Sequence, residues 1–337
     1  MKILSLFDWI SCWYMALKKA WIEFSHYYAS EIDEYAIKVA TTNHPDIIEF
    51  GDVNDFDNRP IEPDIIIGGS PCQWFSMAGK MLNFEDPRSK LFFKFVQAVK
   101  WFKPKYFLLE NVKMKKDFIK IINENLWWIE PILIDSALVS AQSRKRLYWV
   151  WERQEDWTYK QIPITQPEDR WIFLKDILED NVDDKYFISQ NQVERMWKWK
   201  SYQNPLDRVL TWESKCPTLT ARGAGEYHSG MILITDKWKE IELPCATQLG
   251  NGYWEWFNNT FGSNKAYTLR ASQPNGVIVW DRTIRKLTPI ECERLQTLPD
   301  GYTDVWQSDT QRYKQLGNWW TMEVIAHIFK QIFKQNG

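Results

Sequence analysis

The feature that most constrains this chain is a set of short apolar runs, each stopped by a turn, an acid or a glycine pair. Residues 3–7 (I-L-S-L-F) read as a buried strand followed by a turn, and Tyr27–Ser30 as a second strand ending at the acid Glu31. A third signal ends at Gly51-Asp52, and the run Asp64–Ile67 is stopped by Gly68-Gly69. Tyr106–Leu109 and Ile132–Ile134 complete the series, with helical periodicity over Tyr14–Ala20, Lys90–Trp101 and Lys116–Asn125 between the strands. Strands alternating with helices predict an α/β fold, a doubly wound Rossmann-like parallel sheet with helices on both faces, over about 150 residues.

The pattern changes from about Lys185 to Asp281, where short β-like runs (T-L-T, M-I-L-I, Y-T-L, V-I-V) alternate with Gly, Asn, Pro and Ser clusters. Helical periodicity returns over Thr288–Leu295 and Met322–Phe333. Three parts are expected: 1–184, a smaller β-rich insert at 185–283, and 284–337 packing back on the first. T-L-T-A-R at 218–222 is loosely echoed by T-L-R-A-S at 268–272.

At 337 residues and 45% apolar content the chain can bury a sizeable core. No apolar run is long enough to span a bilayer and no leader-like segment opens the chain, so a soluble cytoplasmic protein with no membrane partner is expected. Five cysteines, an odd number without C-x-x-C spacing, argue against a disulfide framework or a metal site. A formal charge of −2 means that any polyanion must be held by a local basic surface.

Several residues have the placement that chemistry needs. Phe7–Trp13 and Glu31 supply the strand, turn and strand-end acid of a nucleotide cradle, in which Glu31 would accept from ribose hydroxyls and Asp52 from an adenine amino group. Cys72, in G-G-S-P-C-Q, lies just past a buried strand, at the sheet edge where doubly wound folds bind ligands. Glu110 ends another strand, and Gln142-x-Arg144-x-Arg146 projects alternate polar side chains from an extended segment. Taken singly, each could equally be a cap, an ion-pair partner or a solvated group.

In this order the blocks resemble those of the cytosine-5 DNA methyltransferase family, over nearly the whole chain. F-D-W-I-S-C-W resembles the cofactor loop, S-E-I the ribose acid, G-D-V the adenine contact and S-P-C-Q the nucleophile loop. E-N-V resembles the catalytic acid block and Q-S-R-K-R the arginine block, while R-K-L-T-P-I-E and Q-L-G-N resemble the two closing blocks. The resemblance implies S-adenosylmethionine bound by Phe7, Asp8, Trp9, Trp13, Glu31, Ile32, Asp52, Val53, Pro71 and Asn318. It implies a covalent adduct of Cys72 with a flipped cytosine of double-stranded DNA, with Glu110 engaging N3, Arg144 holding the base and polarising its O2, and Arg146 as a further catalytic residue. The β-rich insert becomes a target-recognition domain, with DNA contacts at Gln73, Ser76, Thr218, Thr220, Arg222, Thr268 and Arg270. A monomer is implied, alone or beside a cognate restriction endonuclease.

The chain departs from that pattern in one respect. It has 21 tryptophans and 14 glycines, against the roughly 24 glycines that a share of about 7% implies. The resemblance places glycine at 9, 13, 21, 74 and 319, and all five are Trp. Two readings stand open: a catalytically silent DNA-binding relative whose cofactor loop is occluded by indoles, or tryptophan letters standing for glycine, as when UGA encodes glycine.

Overall fold

A computed structural model describes residues 1–69, 87–187, 209–210, 214–219, 231–233 and 284–334. The chain divides into two compact units, the larger formed by 1–181, 212–230 and 287–337 and the smaller by 182–211 and 231–286.

The larger unit is built on one sheet. Its strands are β1 (Lys2–Leu6), β2 (His26–Ser30), β3 (Ile48–Glu49), β4 (Ile65–Gly69), β5 (Tyr106–Val112), β6 (Ile132–Asp135), β7 (Lys145–Arg153) and β8 (Tyr159–Gln161). Spatial order is β3-β2-β1-β4-β5-β7-β6, with β8 paired to the far end of β7. The first five strands are parallel, as the alternation of strand and helix predicts. The remainder is not: β7 inserts antiparallel between β5 and β6, making the sheet mixed. The run Leu147–Trp151 is buried on both faces and so reads as continuous apolar sequence without alternation, which is why β7 escapes a search for period-2 pattern.

Helices α1 (Cys12–Lys19), α2 (Glu34–Asn43), α3 (Pro87–Phe102) and α4 (Lys116–Asn125) connect the strands. Three more follow the smaller unit: α5 (Pro289–Leu295), α6 (Asp309–Asn318) and α7 (Met322–Lys334). Their starts are set by local chemistry. Asp33 caps α2 by accepting from the amides of Tyr35 and Ala36, and Thr288 and Glu291 form a reciprocal capping box at α5 with Pro289 in the first turn. Helix α7 buries Val324, Ile325, Ile328, Phe329 and Ile332 at helical spacing, and packs on α1. The core on the other side of the sheet is aromatic, with Phe107 stacked on Trp151 at 3.9 Å between ring centres and edge-on to Phe95 at 6.3 Å.

The smaller unit contributes β9 (Val209–Leu210), β10 (Met231–Leu233) and β11 (Ile284–Lys286), with β10 parallel to β9 and antiparallel to β11. Phe187 bridges to Arg285 within it. Residues 214–219 belong instead to the larger unit, where Cys216 pairs with the segment before β7 through Cys216 N–H to Ala141 O (2.7 Å) and Ser143 N–H to Cys216 O (2.8 Å).

Candidate active site

Strand order reverses between β1 and β4, the point at which a doubly wound sheet binds ligands at its carboxyl edge. One side of this edge is acidic. Asp8 follows β1 and is fully buried, accepting from the hydroxyls of Ser11 and Tyr27, the latter at 2.5 Å. Burial pushes its carboxyl up to about 6, against the pull of those hydroxyls. Glu31, just past β2, accepts from three backbone amides: Trp9 at 2.9 Å, Ile32 at 2.8 Å and Asp33 at 2.9 Å. The loop after β1 and the acid after β2 therefore fix each other. Asp52 caps the turn 53–58 by accepting from the Asn54 amide, and Ser30 Oγ donates to Gly51 O at 2.7 Å. Val53 is buried and Ile32 exposed.

Glu49 joins this group and went unnoticed in the sequence, because an acid inside a two-residue strand carries no motif. Its carboxylate oxygens are buried without a hydrogen-bond partner. Burial, then the charges of Asp8 and Glu31, raise it to about 7.

The other side of the edge is built from β4, β5 and β7. Glu110 pairs in register with Tyr148, which puts Arg146 two residues along on the same face. Arg146 Nε accordingly lies 3.0 Å from a Glu110 oxygen in a nearly buried ion pair. The second oxygen accepts from the Trp320 indole N–H. Burial raises the Glu110 carboxyl above its ordinary range, opposed by Arg146, by the Trp320 bond and by Arg144. Gly69 makes the arrangement sterically possible, since a Cβ there would collide with the Trp320 ring and stand 2.7 Å from the Glu110 carboxylate. Trp320 also escaped sequence reading, because its partner is distant in the chain and only the fold brings them together.

Arg144 is placed differently from Arg146. It is buried, and its guanidinium donates to Leu219 O at 3.0 Å and to Gly317 O at 3.4 Å, tying the start of β7 to α6 and to 214–219. Thr218 Oγ1 donates to Ser143 O at 2.8 Å. Asn318 is the last residue of α6. Pro71, Cys72, Gln73, Ser76, Thr220, Arg222, Thr268 and Arg270 lie outside the described residues. The last described residue of β4, Gly69, places the chain beside Glu110 three residues before Cys72.

A doubly wound sheet with an acidic cluster on one side of its switch point and a buried acid–arginine pair on the other is a Rossmann-like arrangement. Solved structures agree on the fold. A DNMT2 of Spodoptera frugiperda superposes with a TM-score of 0.65 at 21% identity, over 98% of this chain and 99% of that one. The S. pombe Dnmt2 methyltransferase superposes at 0.64 and 16% identity, over all of both chains. The model of the C-5 cytosine-specific DNA methylase family matches residues 1–334, and the chain belongs to that family. It is thus a DNA cytosine-5 methyltransferase whose cofactor is S-adenosylmethionine. Among relatives, an orphan methyltransferase, M.SPRI, of Bacillus phage SPR is 28% identical over 98% of this chain and 97% of its own length. The type II methyltransferase M1.ScrFI of Lactococcus lactis subsp. cremoris is 32% identical over 86% of this chain and 67% of its own.

The residues present fit that cofactor on one side only. Glu31 and Asp52 present carboxylates just past β2 and β3, the chemistry that the donor groups of an adenosine would need, and the excess of carboxylates suits a cationic ligand. The indoles do not fit. Trp13 is fully buried against Trp320, 4.8 Å between ring centres, and its N–H has no hydrogen-bond partner. Trp319 is likewise fully buried beside it.

Proposed function

We propose that this methyltransferase works through a covalent adduct at Cys72. The Cys72 thiolate forms a bond to C6 of cytosine, and the displaced π pair is accommodated as a proton moves from Glu110 to N3, leaving C5 nucleophilic. The cofactor supplies an electrophilic methyl group, which C5 takes. Loss of the C5 proton to solvent, expulsion of Cys72 and return of the N3 proton to Glu110 restore the aromatic ring.

The observation that carries this reading is the setting of Glu110. Its burial favours the protonated form needed to donate to N3, while Arg146 and Trp320 fix both oxygens so that little reorganisation accompanies proton transfer. Arg146, already at Glu110, is the better placed arginine to reach the cytosine O2, and Arg144 holds the segment that carries it. None of these atoms can reach a stacked base, so the cytosine leaves the duplex. DNA contacts fall to Gln73, Ser76, Thr218, Thr220, Arg222, Thr268 and Arg270, and recognition of the target sequence to the smaller unit. The enzyme acts as a cytoplasmic monomer, either alone or beside a cognate restriction endonuclease.

The test is DNA carrying 5-fluorocytosine with S-adenosylmethionine. Fluorine cannot depart as a proton, so the adduct should persist as a denaturation-resistant protein–DNA complex that Cys72→Ser abolishes. A complex that persists in Cys72→Ser would remove the nucleophile assignment. The silent DNA-binding alternative is supported by the buried Trp13 and Trp319. It requires a DNA mobility shift with neither adduct nor methyl label.

A further inference from the structure

Tryptophan is concentrated where the backbone can least accommodate a side chain. Among the described residues eleven non-glycine residues have φ in the left-handed region, and seven are tryptophan. Their φ values run from 52° at Trp9 to 67° at Trp157. Thirteen tryptophans are described in all, so more than half adopt a conformation that glycine tolerates freely and a bulky L-residue does not. Each costs roughly a 5- to 30-fold loss in the folding equilibrium.

The local motifs are those in which glycine is the expected residue. After α1, the Trp21 amide bonds to Lys18 O and the Ile22 amide to Leu17 O, both at 3.0 Å. That is the Schellman pattern, with Trp21 in the position glycine usually fills. After α4, Trp127 has the same place and the Trp128 amide bonds to Asn123 O at 2.7 Å. Between β7 and β8, the Trp157 amide bonds to Gln154 O and Trp157 follows Asp156 in the left-handed position that closes a type I turn. Trp21 and Trp306 are 89% and 95% exposed, so their indoles gain almost no burial in exchange for the strain.

Buried tryptophans divide in a parallel way. The Trp149 N–H donates to Asn123 Oδ1 at 2.9 Å and that of Trp320 to Glu110. Those of Trp13 and Trp151 are buried without a partner, and that of Trp319 lacks a well-aligned one, with the weakly accepting Cys12 thiol beside it. Buried indole N–H groups are normally satisfied, so the last three sit in sites not shaped for them.

We infer that the native protein carries glycine at these ten described positions, seven left-handed and three buried, and tryptophan at 149 and 320. The source organism then decodes as glycine a codon, UGA, that is read as tryptophan in the chain printed here. With those ten counted, the chain reaches the roughly 24 glycines that a share of about 7% implies. Glycine at 13 and 319 removes two indoles buried beside Trp320, and glycine at 9 frees the loop whose amide bonds Glu31, so the misfit with S-adenosylmethionine belongs to the letters and not to the enzyme.

The deciding experiment is tandem mass spectrometry of peptides from the protein purified from its natural source. Glycine at 21, 127, 128, 157 and 306 together with tryptophan at 149 is expected. Tryptophan at those five sites overturns the inference. Recombinant material supplies a second test that needs no native source. A version carrying W21G, W128G, W157G, W171G and W306G should melt about 5–15 °C above the chain as written, whereas W149G should melt below it. An unchanged or lowered melting temperature in the five-glycine version also overturns the inference. Neither readout involves methyl transfer, so failure of the Cys72 mechanism would leave both tests intact.

Discussion

The two sides of the sheet's carboxyl edge reach an organised site by different means. On the β1–β3 side the backbone does the organising: Glu31 is held by three amides, and the loop that supplies one of them passes through left-handed conformations at Phe7, Trp9 and Ser11. On the β4–β5–β7 side the side chains organise one another, through strand register that aligns Glu110 with Arg146 and a ring lodged over Gly69. The first kind of site is sensitive to which residues can adopt a given φ. The second is sensitive to shape and charge, and tolerates indoles well enough to use one.

Substitutions should separate the two. The largest effect is expected at Glu110→Gln, which keeps the shape and removes the acid: kcat should fall by about 10²- to 10⁴-fold with DNA affinity retained, measured by single-turnover methyl transfer. An unchanged kcat would assign the proton to another group. Glu31→Ala should act in the opposite sense, raising the KM for S-adenosylmethionine by about 10- to 100-fold with kcat nearly unchanged, because it removes charge-assisted acceptors from binding and not from chemistry. If kcat fell in parallel with KM rising, the two sides would be coupled and the comparison lost. Trp320→Phe retains the ring and deletes its bond to Glu110, so a loss of about 10-fold in kcat is expected, with an altered pH–rate profile. A purely structural Trp320 would move the melting temperature and leave that profile in place.

The smallest effect is a pH dependence of stability. Glu49 is raised from 4.5 to about 7 by burial and by Asp8 and Glu31, so the folded state holds its proton more tightly than the unfolded state. Its contribution is therefore fully present below about pH 4.5 and is lost as pH rises through about 7. Glu49→Gln should flatten that decline, stabilising the protein at pH 8 by about 1 kcal/mol once partial exposure is allowed for. Denaturant melts at pH 5 and pH 8 will show it, and equal slopes in the two proteins would place the burden on Asp8.

Much of this was legible from residues alone. Strand ends announce themselves because an apolar run must stop where the chain meets water, which located Asp8, Glu31, Asp52, Glu110 and the Gly68-Gly69 turn. The antiparallel β7 was not legible, because a strand buried on both faces has no alternation to detect. Neither was the division of labour between Arg144 and Arg146. In the sequence they are equivalent members of one alternating segment, and only pairing with β5 decides that Arg146 meets Glu110 while Arg144 meets backbone carbonyls.

The tryptophan surplus marks the boundary most clearly. Composition and the family blocks located five suspect positions, since local pattern is enough to expect glycine beside a cofactor loop. The left-handed φ at Trp127, Trp128, Trp157, Trp171 and Trp306 belongs to turns whose geometry is imposed by the elements they join, and the unsatisfied N–H of Trp151 exists only once β7 is packed against Phe107. The sequence by itself determined the parallel part of the sheet, its acid-bearing edge and the family, because these rest on local pattern and order along the chain. Which arginine serves the acid, which indole supports it and which indoles lack a fitting site were decided by tertiary structure, because each depends on atoms brought together from distant parts of the chain.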